Sequence, residues 1–568
     1  MEVDQPAVLR FNGRLFPEKH NQRDPQVLEL DWTVRRELRS PDGVEKPVYT
    51  VNGQFPGPTI EARPGDRILL RVYNDLESET TAIHFHGLRH LGSNSMDGAP
   101  GLTQCAIQPK DSFLYNFTIG DQTGTFWWHS HALAQRADGL LGGFIIHEPI
   151  SQPSVFEHAS EELRIRTGNA PYSERLLLMG DWYHRNATTM LGWYRSKHSA
   201  GFEPTPETAL FNGVNTFDCS RATKWVVCDA SKGTTPALFF DPSRKTRLRL
   251  VNTGNLADLE ISIGSHSLLV IEADGSPLSP YRTNSVVLAP GQRYSVIVEP
   301  HSSINPLIGD SFWLKMSMSE ECFNIPNAAL DMEQFIRIFY GQSASLSTGD
   351  THPYVADESF TPFDPFALVP ASPSPLPPAD EQIMIYVNSM KLDRLGGIPY
   401  GYVNQTSWVP HEDEPLLLRD SKDGLNKWGQ HQLVVTTDRK ETKVIELIIN
   451  NLDEGPHPFH LHGHHFYPLL SHKSTYGWGM YNYTAGHKAP HQAPVARDTF
   501  TIPRRGHVVI RFVADAPGMW LFHCHVLVHL STGMAMTFNI RPDLVPEYEK
   551  EAARLSCLNY PVLPKEST

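Results

Sequence analysis

The chain has 568 residues, 40% hydrophobic and 20% charged, with a formal net charge of −14. A mean hydropathy of −0.33 and the lack of any run of about 18 apolar residues exclude a helical membrane span. The acidic balance argues against a nucleic-acid-binding surface, and the length allows about three to four domains.

Residues 1–25 are polar and read as peripheral, and the opening MEVDQPAVLRF lacks the charged start and apolar core of a secretion signal. From about Leu28 the text turns strand-like, with VLELDWTVRREL and then VYTVNGQFPGPTIEARPGDRILLRVYNDL. Its Pro-Gly punctuation between alternating apolar runs predicts an all-β meander, and the 45 Pro and 40 Gly of the whole chain agree. A first block closes near residue 149, a second runs from RLLLMGDWYH through YSVIVEP, and a third ends near 545. Each carries a strand ending in Asn: ILLRVYN at 68–74, LRLVN at 248–252 and VIELIIN at 444–450. Three such strands at wide intervals predict three copies of one β-sandwich. The expected units are 25–150, 165–345 and 381–545. A Pro-rich linker at 346–380 and a helix-like tail at 546–568 complete the chain.

Four paired histidine clusters stand out among 27 histidines: His84-Phe85-His86, His129-Ser130-His131, His457 to His462, and His523-Cys524-His525. A single H-x-H pair is weak evidence, because most are surface or core histidines. Two pairs in the first block and two in the third, with one cysteine inside the last, are not explained that way. On a strand, alternate residues share a face, so His523 and His525 point one way and Cys524 the other. A thiolate, two imidazoles and a weakly held Met sulfur make the ligand set of an electron-transfer copper site. His529 and Met534, on the segment after the strand, would supply two of those ligands, while the flanking histidines serve a second metal centre.

These motifs strongly resemble the multicopper oxidases, the family of laccases, ascorbate oxidases and ferroxidases, over almost the whole chain. The resemblance implies three cupredoxin-like Greek-key β-sandwich domains and four copper ions. One type 1 copper would be held by His457, Cys524 and His529 with Met534 axial. His84 and His460 would hold the type 2 copper. His86, His129, His131, His462, His523 and His525 would hold the type 3 pair. Electrons taken singly from a reductant would pass through Cys524 to His523 and His525, and dioxygen would be reduced to water. Asp97 matches a family carboxylate that assists proton and water handling, with a plain turn Asp as the alternative. His464 and His465 fit no ligand position and read as structural, as do His90, His147 and His184. The chain departs from many relatives at Val526, Leu527 and Val528, where an acid is common, so Asp97 or a carboxylate from elsewhere must serve proton delivery. The family pattern also implies disulfides Cys105–Cys557 and Cys219–Cys228, with Cys322 free; all-reduced thiols are the alternative. Possible disulfides and sequons at Asn116, Asn186, Asn404 and Asn482 point to the secretory pathway, although no signal is visible.

Three substrate readings compete. A laccase-like enzyme oxidises phenols or aromatic amines, an ascorbate oxidase takes ascorbate, and a ferroxidase takes ferrous iron. Iron-specialised relatives carry acids beside the type 1 histidines, one of them a Glu in an S-E-W-Y-H-like stretch. Here the stretch reads Gly180-Asp181-Trp182-Tyr183-His184, with the Asp that laccases and ascorbate oxidases commonly show. An axial Met favours easily oxidised reductants. The expectation is a laccase-like oxidase acting on a phenolic or aromatic reductant, for coupling of metabolites or pigment formation. A copper-binding protein without turnover is the reading from another class; it would not need two centres joined through His-Cys-His.

Overall fold

Strand Arg67–Asn74 shows how the pattern becomes structure: Ile68, Leu70 and Val72 are wholly buried, while Arg67, Arg71 and Tyr73 face outward. The computed structural model describes residues 13–132, 134–150, 172–300, 309–341, 353–355, 363–411, 414–419, 428–484 and 493–559. Among these, the strands form six sheets, paired into three sandwiches in chain order, each around its own apolar core.

The three Asn-terminated strands hold equivalent places. Arg67–Asn74, Lys245–Asn252 and Lys443–Asn451 each run parallel to the first strand of their own sandwich and antiparallel to a later one. The terminal Asn acts as a staple. Asn74, Asn252 and Asn451 each accept the N–H two residues on and donate Nδ2–H to two carbonyls of the following turn and the neighbouring loop. In the third unit the stapling residue is therefore Asn451, one beyond the Asn450 that the sequence alignment of strands selects. Asn450 instead accepts the Tyr481 N–H.

Two connecting segments reach back to their neighbours. Within the 346–380 stretch, 346–352 and 356–362 lie outside the described residues; beyond them the chain bridges from Pro370 to Leu278 on the edge of the middle unit's six-stranded sheet. The tail forms the expected helix, Glu547–Leu555, and docks on the first unit, where Glu549 accepts the Ser95 N–H at 2.7 Å. Residues 560–568 lie outside the described residues. The Cys105–Cys557 disulfide closes this contact, Cys219–Cys228 closes a small loop in the middle unit, and Cys322 and Cys524 are free and buried.

The Cys105–Cys557 bond spans 452 residues of sequence, so in the unfolded chain it closes a very long loop. A Cys105→Ser/Cys557→Ser double variant is expected to lose about 2–4 kcal/mol of stability, read as a lower melting temperature by calorimetry.

Candidate metal centres

Strand Gly518–Cys524 lies between His457–Leu461 and Ala535–Ile540, with Phe459 opposite Cys524 and His460 opposite His523. Cys524 points into the core of the third sandwich, among Phe459, Phe522 and Met536. His523 and His525 point out of it, toward the first unit, as strand alternation requires. After the strand, a short helix Leu527–Ser531 turns the chain back, and Gly533 at φ +106° lets it reverse. That reversal is closed by Met534 N–H to the His529 carbonyl at 2.9 Å and Cys524 N–H to the Met534 carbonyl at 3.0 Å. It brings His529 beside Cys524 and buries Met534 completely in the same core.

At this first centre the Cys524 Sγ lies 3.6 Å from His457 Nδ1 and 3.5 Å from His529 Nδ1, and the two nitrogens are 3.1 Å apart. The outer Nε2 of each ring is taken up by a carboxylate, Asp453 for His457 and Glu203 for His529, both at 2.9 Å. With Nε2–H donating outward, each imidazole in its neutral form presents the Nδ1 lone pair to the thiol. At His529, burial lowers the pKa, but the Cys524 sulfur and Glu203 outweigh it and push the ring up to about 9. The surroundings are negative, as a cation site demands.

The second centre lies between the first and third sandwiches. In the first, His84 pairs directly with His129 across neighbouring strands. Three trios of ligand atoms converge: His84, His86 and His460; His86, His129 and His525; and His131, His462 and His523. Here the ring nitrogens are used the other way round. Nδ1 of His84, His129, His460 and His523 bonds to the carbonyls of Asp97, Ser130, Asp498 and Cys524, and that of His462 to the Asp97 carboxylate. The Nε2 atoms of His84, His129, His131 and His460, and Nδ1 of His86, are buried without a hydrogen-bond partner. The Nε2 atoms of His462 and His523 face each other at 3.1 Å. Burial, followed by repulsion from neighbouring rings and arginines, holds His86, His129, His131, His523 and His525 well below the ordinary imidazole range. These are neutral imidazoles with inward lone pairs, a donor set suited to copper.

The multicopper oxidase family matches this chain over residues 33–151, 173–330 and 404–544. The chain belongs to the multicopper oxidases. The oxidase is 31% identical over 546 residues to an iron transport multicopper oxidase of Gibberella zeae, covering 94% of this chain and 79% of that protein. It is 32% identical to a Cryptococcus neoformans laccase, covering 92% of this chain and 82% of the relative. Its structure aligns with a laccase from Botrytis aclada at a TM-score of 0.78, with 29% identity and 95% and 93% of the two chains covered. Fet3p, a multicopper oxidase that functions in iron import, aligns at 0.77 with 28% identity, covering 93% of this chain and 95% of that one. The oxidase is accordingly a laccase-like, copper-dependent oxidoreductase that uses dioxygen as acceptor, built of cupredoxin-like domains.

Eleven of the twelve residues expected as ligands lie in these close groups, and Met534 is packed in the same core as Cys524. Asp97 is wholly buried, and its carboxylate accepts from His462 at 2.8 Å with Oδ1 3.4 Å from His84. Burial raises its pKa, but His462 and His84 outweigh this and hold it well below the usual carboxylate range. Of the histidines read as structural, His90 pairs with Ser93, His147 with Glu61 and His184 with Asp42, and His464 packs on Trp520; His465 has its Nε2 buried without a hydrogen-bond partner.

Asp181 stands at the motif position where iron-specialised relatives carry Glu, and the structure places it away from His457 and His529. Strand Tyr172–Trp182 directs it into the middle unit, where it accepts the N–H groups of Asn255 and Leu256 at 2.7 and 3.2 Å. The acids at those histidines are Glu203 and Asp453, neither singled out from sequence. Asp453 carried a signal, standing four residues before His457 in the turn after the Asn staple. Glu203, 326 residues from His529, carried none. Asp498 was also missed. It pairs with Arg293 at 2.7 and 2.8 Å and reaches His86 Nε2 at 3.2 Å, while its carbonyl holds His460.

Cys524→Ser is expected to abolish the thiolate-to-copper absorption band and all oxidation of the reductant. Copper in the histidine trios should persist, visible by metal analysis and electron paramagnetic resonance.

Proposed function

We propose that this oxidase takes single electrons from phenolic or aromatic reductants at a type 1 copper and delivers them to a type 2 and type 3 copper cluster that reduces dioxygen to water. His457, Cys524 and His529 would hold the type 1 ion, with Met534 as the weak axial ligand. His84 and His460 would hold type 2, and His86, His129 and His525 with His131, His462 and His523 the type 3 pair. Bound copper supplies the one-electron redox steps and the place where dioxygen is reduced. The chain supplies the path: Cys524 carries the electron out of one centre, and its backbone neighbours His523 and His525 belong to the other.

The observation that carries the aromatic reading is the outer edge of His529. Glu203 sits there 14% exposed, with Phe202 beside it in sequence 44% exposed. A phenol seated on that edge can give its hydroxyl proton to the Glu203 carboxylate as its electron leaves through the imidazole, avoiding a charged radical. Burial raises the Glu203 pKa, but the hydrogen bond and charge of His529 outweigh it and lower it, so the group is ready to accept. Similarity to laccases supports this reading.

Ferrous iron is the second reading, and one observation favours it: two carboxylates, Glu203 and Asp453, contact the two type 1 histidines from outside. Anionic oxygen suits a hard cation, and iron transport oxidases are among the relatives. The disulfides, together with sequons at the exposed Asn404 and Asn482, support passage through the secretory pathway. No helix among the described residues is long and apolar enough to cross a membrane.

Oxygen uptake by the copper-loaded enzyme with 2,6-dimethoxyphenol, ascorbate and ferrous iron, each alone, decides between them. Fast turnover of the phenol and slow turnover of iron is expected. Glu203→Gln should then lower kcat/KM for the phenol by about tenfold or more while leaving the visible spectrum in place. Preference for iron, lost in a Glu203→Ala/Asp453→Ala variant, would establish the second reading instead.

A further inference from the structure

Reducing one dioxygen to two waters consumes four protons with the four electrons, and those protons must cross a dry protein interior to reach the histidine trios. The segment beside His525 offers no acid, since residues 526–528 are Val, Leu and Val, all buried. Leu527 packs on Ala137 and Tyr183, and its N–H bonds to the Asn255 carbonyl at 3.0 Å. That bond leads into the middle unit, to a cavity that no metal ligand lines.

The cavity is small, about 40 Å³, with room for about two or three waters. Arg136, Asp181, Trp182 and Asn255 line it. Each is at least nine-tenths buried, and each has a polar atom without a hydrogen-bond partner: Arg136 Nε, Asp181 Oδ2, Trp182 Nε1 and Asn255 Oδ1. Four such atoms around one void are what a buried water cluster satisfies. On one side the cavity abuts the dioxygen centre, because Arg136 Nη1 lies 2.8 Å from His525 Nδ1 and Nη2 donates to the His525 carbonyl at 2.9 Å. On the other side lies an open cavity of about 710 Å³ between the first and middle units, and Phe55, Pro56, Leu178 and Gly213 line both cavities. Gln54, Arg39 and Asn212 give the outer chamber a polar lining.

We propose that Asp181, with Arg136 and this two-chambered cavity, is the route by which protons reach the dioxygen centre. The inference rests on the oxidase reading of the two metal centres. Asp181 Oδ2 releases a proton to cavity water, which passes it to the oxygen being reduced, and the carboxylate left behind regains one from water of the outer chamber. Electrons come only from the reductant, through Cys524, so four cycles balance one dioxygen. The groups facing Asp181 suit this. Arg136 stabilises the carboxylate formed, the Tyr183 hydroxyl hydrogen-bonds to it, and Tyr183 and the Cys322 thiol, both held protonated by burial, bring no competing negative charge. Burial raises the Asp181 pKa above its ordinary range despite the N–H bonds to its other oxygen, so the acid form is populated at a higher pH than in a free Asp. Gly254 is required for the approach: a Cβ there would lie 2.3 Å from Asp181 Oδ1.

The sign follows directly. A protonated donor is needed, so turnover falls as the pH rises through the Asp181 pKa. Asp181→Asn preserves the shape and an acceptor for the backbone N–H groups. It should keep the copper content, the thiolate-to-copper band and the rate of anaerobic bleaching by 2,6-dimethoxyphenol. Aerobic kcat should fall about tenfold or more, with the descending limb of its pH profile lost and the solvent deuterium isotope effect on kcat increased. Ala137→Val, which narrows the cavity without touching the carboxylate, should slow the same step. An unchanged kcat and pH profile in Asp181→Asn overturns the proposal. So does a loss of copper or colour that accompanies the loss of rate, combined with wild-type kcat in Ala137→Val. Failure of anaerobic bleaching in the wild-type protein would instead count against the reductant reading, which is separate.

Discussion

Everything in this oxidase depends on the two-residue period of one strand. Because side chains alternate across a strand, Cys524 enters the third sandwich while His523 and His525 leave it on the opposite side. A shift of one residue in the pairing of Gly518–Cys524 with His457–Leu461 would send the sulfur to the interface and the imidazoles into the core, and both centres would be lost together. Register is therefore held from several directions. Phe459 and Phe522 pack about Cys524, Asn94 of the first unit bonds both the N–H and the carbonyl of Met519, and the Cys524 N–H is closed by Met534.

The second constraint is the orientation of each ring. A buried imidazole has two nitrogens, and the partner of one decides what the other can do. At the thiol centre, carboxylates take Nε2 and leave Nδ1 inward. At the interface, carbonyls and Asp97 take Nδ1 of His84, His129, His460, His462 and His523 and leave Nε2 inward, while Asp498 and Thr499 take Nε2 of His86 and leave its Nδ1. The carbonyl partners come from the strands and turns themselves, so folding the backbone fixes the tautomers before any metal arrives. The interface trios draw on two sandwiches, however, and need those sandwiches docked. The middle unit does much of that docking. Arg293 binds Asp498 of the third unit and the Thr125 carbonyl of the first, and Gln292 donates to the Thr499 carbonyl. Asp274 and Arg497 complete a buried set of two acids and two bases, in which the loss of any member strands a charge.

The fold and the convergence of the histidines with Cys524 were legible in the sequence because both are written as short-range pattern. Alternation, Pro-Gly punctuation and a repeated Asn mark the strands, and H-x-H at strand spacing marks pairs of ligands on one face. Asn451 taking the place expected of Asn450 is the limit of such reading, since a run of two Asn gives no signal for which one turns inward. The groups around the ligands were not legible. Glu203, Asp498 and Arg136 reach their histidines across 326, 412 and 389 residues, from elements whose local pattern is that of ordinary strand ends and turns. Asp181 shows the same limit from the other side. Its neighbours Trp182, Tyr183 and His184 match the motif, but the direction of the side chain depends on strand pairing and on a glycine, Gly254, seventy-three residues later.

The middle sandwich supplies none of the close histidine trios found among the described residues, yet it touches every step. Glu203 stands at the outer edge of His529, where a reductant would arrive; Arg293 braces the carboxylate behind His86; and Asp181 faces the water-sized cavity beside Arg136 and His525. Electron transfer needs a short, rigid and dry path, which the His523-Cys524-His525 segment provides within one buried strand end. Proton transfer needs the opposite: polar groups, water and a connection to solvent. On the proposed route, Asp181 of the middle unit serves the dioxygen side through the cavity beside Arg136, while Glu203 of the same unit stands at the outer edge of His529. A unit that contributes no close histidine trio among the described residues thus places a carboxylate beside each centre.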